Sequence, residues 1–161
     1  MTSLNLLAKT NLPVEPDEFI GRERDAADLR RLLETMRAVT LCGPGGIGKT
    51  RLAVHVAHSL LPAYPDGIWF VELADVSLDG PPGHVPRKVA TVLGVAEEDG
   101  RPMAATLSDA LRSSEALLVL DNCEHLVDDC AELTRVLMAR CPRLRLLITS
   151  RLGEAVDALR D

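Results

Sequence analysis

Gly43-Pro44-Gly45-Gly46-Ile47-Gly48-Lys49-Thr50 joins a glycine-rich turn to a lysine and a threonine, the groups needed to wrap a phosphate chain. Glycine lets the backbone turn sharply, and it lets successive N–H groups approach phosphate oxygens that a side chain would hold off. Lys49 adds a mobile positive charge for the β and γ phosphates, and Thr50 a hydroxyl for Mg²⁺. A second chemical group is Asp121, which ends the apolar run Leu117-Leu118-Val119-Leu120. Taken alone it is a weak signal, because aspartate also caps helices. About seventy residues beyond a phosphate loop, it becomes the expected second Mg²⁺ contact. Arg151 follows the apolar run Leu144 to Thr149. A guanidinium there either reaches a terminal phosphate with its planar fork or is a solvated cation at a strand end.

These groups need a scaffold. Ala38-Val39-Thr40-Leu41-Cys42 reads as a buried parallel strand, and Leu52, Ala53, Val56 and Leu60 recur at helical spacing until Pro62. The loop therefore lies between a strand and a helix whose positive end faces the phosphates. Ala26, Leu29, Leu33 and Met36 predict an earlier helix over Arg22 to Arg37. Gly67 to Leu73 is a second strand, and Ser77 to Gly83 a loop. Short helices are expected around Val85 to Leu93 and Met103 to Ser113, then a third strand over Ala116 to Leu120. Leu126, Cys130, Leu133 and Leu137 mark a further helix ended by Cys141-Pro142, before the fourth strand, Leu144 to Thr149. The tail Glu154 to Arg160 reads as one more helix. Alternating strands and helices predict an α/β fold with a parallel sheet, in which ligands bind at the carboxyl ends of strands.

The chain has 161 residues, enough for one domain with a real core. Aromatic residues are 2% of it, so Leu, Val, Ile and Ala must build that core. A net charge of −6 argues against a basic face for nucleic acid; a nucleotide would be held locally. Cys42, Cys123, Cys130 and Cys141 form no CxxC pair and no zinc-like spacing with His55, His58, His84 or His125, which predicts reduced thiols. Met1 to Leu12 lacks the apolar stretch of a signal peptide, and no later run approaches a membrane span. The expectation is a cytoplasmic protein.

Asn11-Leu12-Pro13, Phe19-Ile20-Gly21-Arg22-Glu23-Arg24, Gly43 to Thr50, Leu117 to His125 and Thr149-Ser150-Arg151 stand in one order. In that order the chain resembles STAND-class, NB-ARC-like P-loop ATPases, above all those of large bacterial transcriptional regulators of the LuxR and antibiotic-regulatory types. The resemblance implies a P-loop NTPase three-layer sandwich over residues 19–151, with residues 1–18 an extended lead-in and 152–161 a truncated tail. It implies ATP or ADP with Mg²⁺ as the bound species. Phe19, Ile20, Gly21 and Arg22 would line the adenine side, Gly43 to Thr50 and Arg51 the phosphates, Thr50 and Asp121 the metal. Arg151 would be the γ-phosphate sensor. Trp69 to Leu73 matches the family's second strand and carries packing, not chemistry.

Two features depart from that pattern. The residue after Asp121, often a second acid in related ATPases, is Asn122, which can orient water but cannot take a proton. Glu124 or His125 is then the candidate base, and slow hydrolysis or simple binding is expected. The resemblance also implies a further strand, a helical lid, a winged helix and helical repeats downstream, none of which Leu152 to Asp161 begins. Without that strand the Ala38 to Cys42 strand would lie on an open edge, which invites association. The leading reading is a nucleotide-switch module. A small P-loop phosphotransferase, or an interaction fragment with a vestigial loop, is the alternative; a GTPase is disfavoured because no NKxD motif is present.

Overall fold

The computed structural model describes residues 9–15, 19, 21–44 and 48–151. Helix α1 spans Glu23–Thr35, strand β1 Ala38–Cys42, helix α2 Lys49–Leu60 and strand β2 Ile68–Glu72. Helices α3 (His84–Leu93) and α4 (Met103–Leu111) follow, then strand β3 (Leu117–Asp121), helix α5 (Val127–Arg140) and strand β4 (Arg145–Ser150). The strands form one sheet in the order β1-β4-β3-β2, and every pairing is parallel. The chain therefore has an α/β architecture built on a parallel sheet, as expected.

Side chains on a strand alternate between faces, and here the alternation divides the core in two. Leu118, Leu120, Leu146 and Ile148 face α3, α4 and α5. Val39, Leu117, Val119 and Leu147 face α1 and α2. With helices on both faces, β3 is buried at every position, which is why it reads as an unbroken apolar run. Two arginines tie the layers together by satisfying carbonyls at helix ends. Arg37 donates to the Met138 carbonyl at 3.1 Å and the Cys141 carbonyl at 2.6 Å, closing α5. Arg145 donates to the carbonyls of Leu33 and Met36 at the end of α1.

The expected elements are present, with corrections at their ends. Met36 does not join the apolar face of α1; it lies past the helix in extended backbone and is 50% exposed. Pro62 ends α2 through a 3-10 turn over Leu61–Ala63. The expected helix at Glu154 to Arg160 falls outside the described residues. Among the described residues β1 pairs only with β4, so it occupies a sheet edge as anticipated.

The opposite edge, β2, is covered by the described part of the lead-in. Thr10 forms a parallel bridge to Ile68, and the Ile68 N–H donates to the Lys9 carbonyl at 3.0 Å. The Asn11 side chain then acts as a short length of backbone. Its Nδ2 donates to the Phe70 carbonyl at 2.8 Å, and its Oδ1 accepts from the Phe70 N–H at 2.6 Å. Gly67 makes this approach possible: its φ is +95°, and a Cβ there would collide with the Lys9 carbonyl.

Candidate nucleotide-binding site

Order β1-β4-β3 brings the carboxyl ends of three strands together, at the place where parallel α/β sheets hold ligands. Gly43 leaves β1 with its N–H still donating to the Ser150 carbonyl at the end of β4, at 3.3 Å. Gly48 ends the loop at φ +79° as the residue before α2, a left-handed conformation that favours glycine. Lys49 and Thr50 open α2. The Lys49 ammonium is folded onto the loop, donating to the Gly43 carbonyl at 2.8 Å and the Pro44 carbonyl at 2.9 Å. Gly45, Gly46, Ile47 and, on the adenine-side segment, Ile20 lie outside the described residues.

Asp121 and Thr50 meet across the site. Thr50 Oγ1 donates to Asp121 Oδ1 at 2.8 Å, and Thr149 Oγ1 donates to the same oxygen at 2.6 Å. The other oxygen, Oδ2, accepts from Asn122 Nδ2 at 3.1 Å. The Thr149 hydroxyl also accepts from the Asn122 N–H at 3.0 Å, so one hydroxyl locks both the carboxylate and the turn that follows it. Asp121 is 2% exposed, and a carboxylate that deep requires such partners. Asn122 holds φ at +60°, the one non-glycine positive φ among the described residues. Asparagine tolerates that region better than most side chains, and such backbone strain clusters at functional sites.

Beside these groups lies a cleft of about 480 Å³ lined by Pro13, Glu15, Lys49, Thr50, Asn122 and Arg151, with Val14, Gly48, Arg51 and Val54 completing its wall. Its size suits a nucleotide-sized ligand. The lead-in wall is clipped to α2 by two histidines: His55 Nδ1 lies 3.0 Å from Glu15 Oε2, and His58 Nε2 lies 2.8 Å from the Pro13 carbonyl. Phe19 stacks on the His55 ring with centroids 3.9 Å apart and planes 8° from parallel. Arg22 pairs with Asp25 at 3.0 Å and donates to the Gly48 carbonyl at 3.3 Å, joining the start of α1 to the loop. The Gly21 N–H donates to Glu23 Oε1 at 3.2 Å. Hydrogen bonds from the Glu23 and Gly21 N–H groups hold the Glu23 carboxyl below its usual range. His125, a candidate base on sequence grounds, does not line the cleft; its Nε2 lies 2.9 Å from the Val76 carbonyl.

Residues 30–150 match the sequence profile of the AAA domain. The chain belongs to the AAA domain family. This AAA chain is 42% identical over 123 residues to a Mycobacterium tuberculosis protein bearing the name "Putative HTH-type transcriptional regulator", an alignment covering 76% of the chain and 13% of that protein. It is 32% identical over 157 residues to the regulatory protein AfsR of Streptomyces griseus, covering 90% of the chain and 15% of that protein. The AAA chain thus spans less than a sixth of the length of these relatives. Its fold is similar to that of the Walker-type ATPase paby2304 of Pyrococcus abyssi, with a TM-score of 0.59 at 13% identity over 91% of this chain and 49% of that one.

Two parts of the site were not legible as such. Pro13, Val14 and Glu15 form a cleft wall, yet their residue types carry no chemistry at recognisable spacing; Asn11-Leu12-Pro13 enters the sequence reading as an extended segment and as one motif of the family resemblance, with no part in binding. Thr149 enters the sequence reading as a strand end and as part of the Thr149-Ser150-Arg151 motif, with no chemical role of its own. Its signal is positional: β3 and β4 pair through Leu120 and Ile148, so the next residues, Asp121 and Thr149, fall side by side.

Proposed function

We propose that this AAA domain is the ATP- and ADP-binding switch module of a larger transcriptional regulator, with slow hydrolysis or none. The observation that carries the reading is the 2.8 Å contact between Thr50 Oγ1 and Asp121 Oδ1, which unites the end of the phosphate loop with the carboxylate of β3. The donor set fits Mg²⁺: one hydroxyl and one carboxylate, both hard oxygens, as in sites where phosphates and water complete the shell. When bound, Mg²⁺ would neutralise charge on the β and γ phosphates. Thr50 and Asp121 would hold it. Lys49, whose ammonium donates to the Gly43 and Pro44 carbonyls, would supply the positive charge for the same phosphates, and Gly43, Pro44, Gly48 and Arg51 would border them. Phe19, Gly21 and Arg22 would line the base side, and Arg151, the residue after β4, would reach the terminal phosphate from the cleft wall.

Asn122 supports slow turnover. It occupies the position next to Asp121 and borders the cleft, but an amide cannot accept a proton from water. The names of the relatives support a regulator as the setting, with downstream domains as the partners that read the bound state. Among the described residues no helix is long and apolar enough to cross a membrane. The acidic balance of the chain favours a nucleotide over a nucleic acid as the anion held.

Thermal melts with Mg-ATP, Mg-ADP, Mg-GTP and no ligand test this reading. A nucleotide at one hundred times its Kd stabilises the fold by about 2.7 kcal/mol, which raises the midpoint by at least about 5 °C. Adenine nucleotides should give that shift. A flat response to every nucleotide would count against the proposal.

A further inference from the structure

Arg151 borders the cleft and also reaches a carboxylate. Its side chain is 65% exposed, yet its Nε lies 3.5 Å from Oε1 of Glu124, whose side chain is only 21% exposed. Glu124 belongs to the turn that joins β3 to α5, and that turn is pinned. The Asn122 N–H donates to Thr149 Oγ1 at 3.0 Å, the Cys123 N–H to the Thr149 carbonyl at 3.0 Å, and the Leu126 N–H to the Cys123 carbonyl at 2.9 Å. The backbone that carries the carboxylate is thus anchored, and the longer, more exposed arginine side chain is the partner with more room to move. Glu124 does not line the cleft; Arg151 and Asn122 do.

We propose that Glu124 competes with the terminal phosphate for Arg151, and so sets how strongly the domain distinguishes ATP from ADP. This rests on the nucleotide reading above. With ADP the guanidinium stays on Glu124, because no γ-phosphate is present to draw it away. With ATP the γ-phosphate offers more charge and more acceptor oxygens than one carboxylate, and Arg151 transfers its planar fork to it. The pair is exposed enough to be weak, so it opens readily and costs ATP a few-fold in affinity. Glu124 is in this account a positioning residue acting through Arg151.

Titration calorimetry with Mg-ATP and Mg-ADP on the whole chain tests it through a double-mutant cycle. Glu124→Gln should tighten ATP binding roughly threefold and leave ADP unchanged, the scale expected for an exposed pair. Glu124→Asp keeps the charge but shortens the reach, and it should shift the ATP to ADP ratio in the same direction. In an Arg151→Ala background both substitutions should become silent. Equal tightening by Glu124→Gln with and without Arg151 would overturn the proposal, since simple relief of repulsion would then suffice. An unchanged ratio in both Glu124 variants of a chain that binds nucleotide would overturn it too, leaving the nucleotide reading intact. Absence of binding by the unmodified chain would defeat both.

Discussion

The most constrained atom of the site is Asp121 Oδ1, which accepts from two threonine hydroxyls contributed by different elements, at 2.8 and 2.6 Å. Such fixing gives the carboxylate one orientation, and a metal site gains from ligands already in place. Asp121→Asn keeps the shape but removes the charge. It should lower the Mg²⁺ dependence of nucleotide affinity more than the affinity for metal-free nucleotide, measured by titration with and without chelator. Equal losses would assign Asp121 a structural role. At this scale the sequence was informative where residue type and spacing together imply chemistry, as for Lys49 and Thr50 after a glycine-rich turn and Asp121 about seventy residues beyond them. It was silent on the role of the Thr149 hydroxyl, which matters only because the register sets it beside Asp121. It was also silent on how Phe19 would be placed, since stacking against His55 depends on a contact between the lead-in side and α2.

Strands and helices were legible because their apolar periods are unambiguous: β3 and β4 are buried on both faces, and α1 and α5 each carry a one-sided apolar stripe. Element ends were less so. Met36 continues the helical spacing of α1, but the chain turns extended there in order to enter β1. The lead-in was the larger omission, because Asn11 covers the β2 edge through its side chain, which no hydrophobic pattern encodes. Gly67 is the element-scale test of that arrangement. Its positive φ and the closeness of the Lys9 carbonyl leave no room for a methyl group. Gly67→Ala should destabilise the fold by about 1–3 kcal/mol in denaturant titration, through backbone strain and displacement of the lead-in. A change below a few tenths of a kcal/mol would show that the lead-in is not packed against this edge.

For the molecule as a whole, the parallel sheet separates a packed interior from a functional rim. Cys123, Cys130 and Cys141 are buried, while Cys42 at the end of β1 is partly accessible. Burial raises the Cys42 and Cys141 thiols, and at Cys123 a hydrogen bond with Cys130, with burial adding to it, pushes the thiol far above the ordinary range. Because the thiolate is the reactive form, a maleimide or disulfide reagent near neutral pH should label Cys42 alone, and slowly, in the folded protein. All four should react once denaturant is added; fast labelling of the others in the folded state would contradict the packing. The proposed nucleotide site lies at the rim, where three strand ends, the start of α2 and the lead-in converge. The direct measurement is calorimetric titration of Mg-ATP into the chain and into Lys49→Ala. The account predicts saturable binding at one site, weakened by about 1.5–3 kcal/mol when the ammonium is removed. No heat of binding in the unmodified chain, or equal affinity in the two proteins, would contradict it.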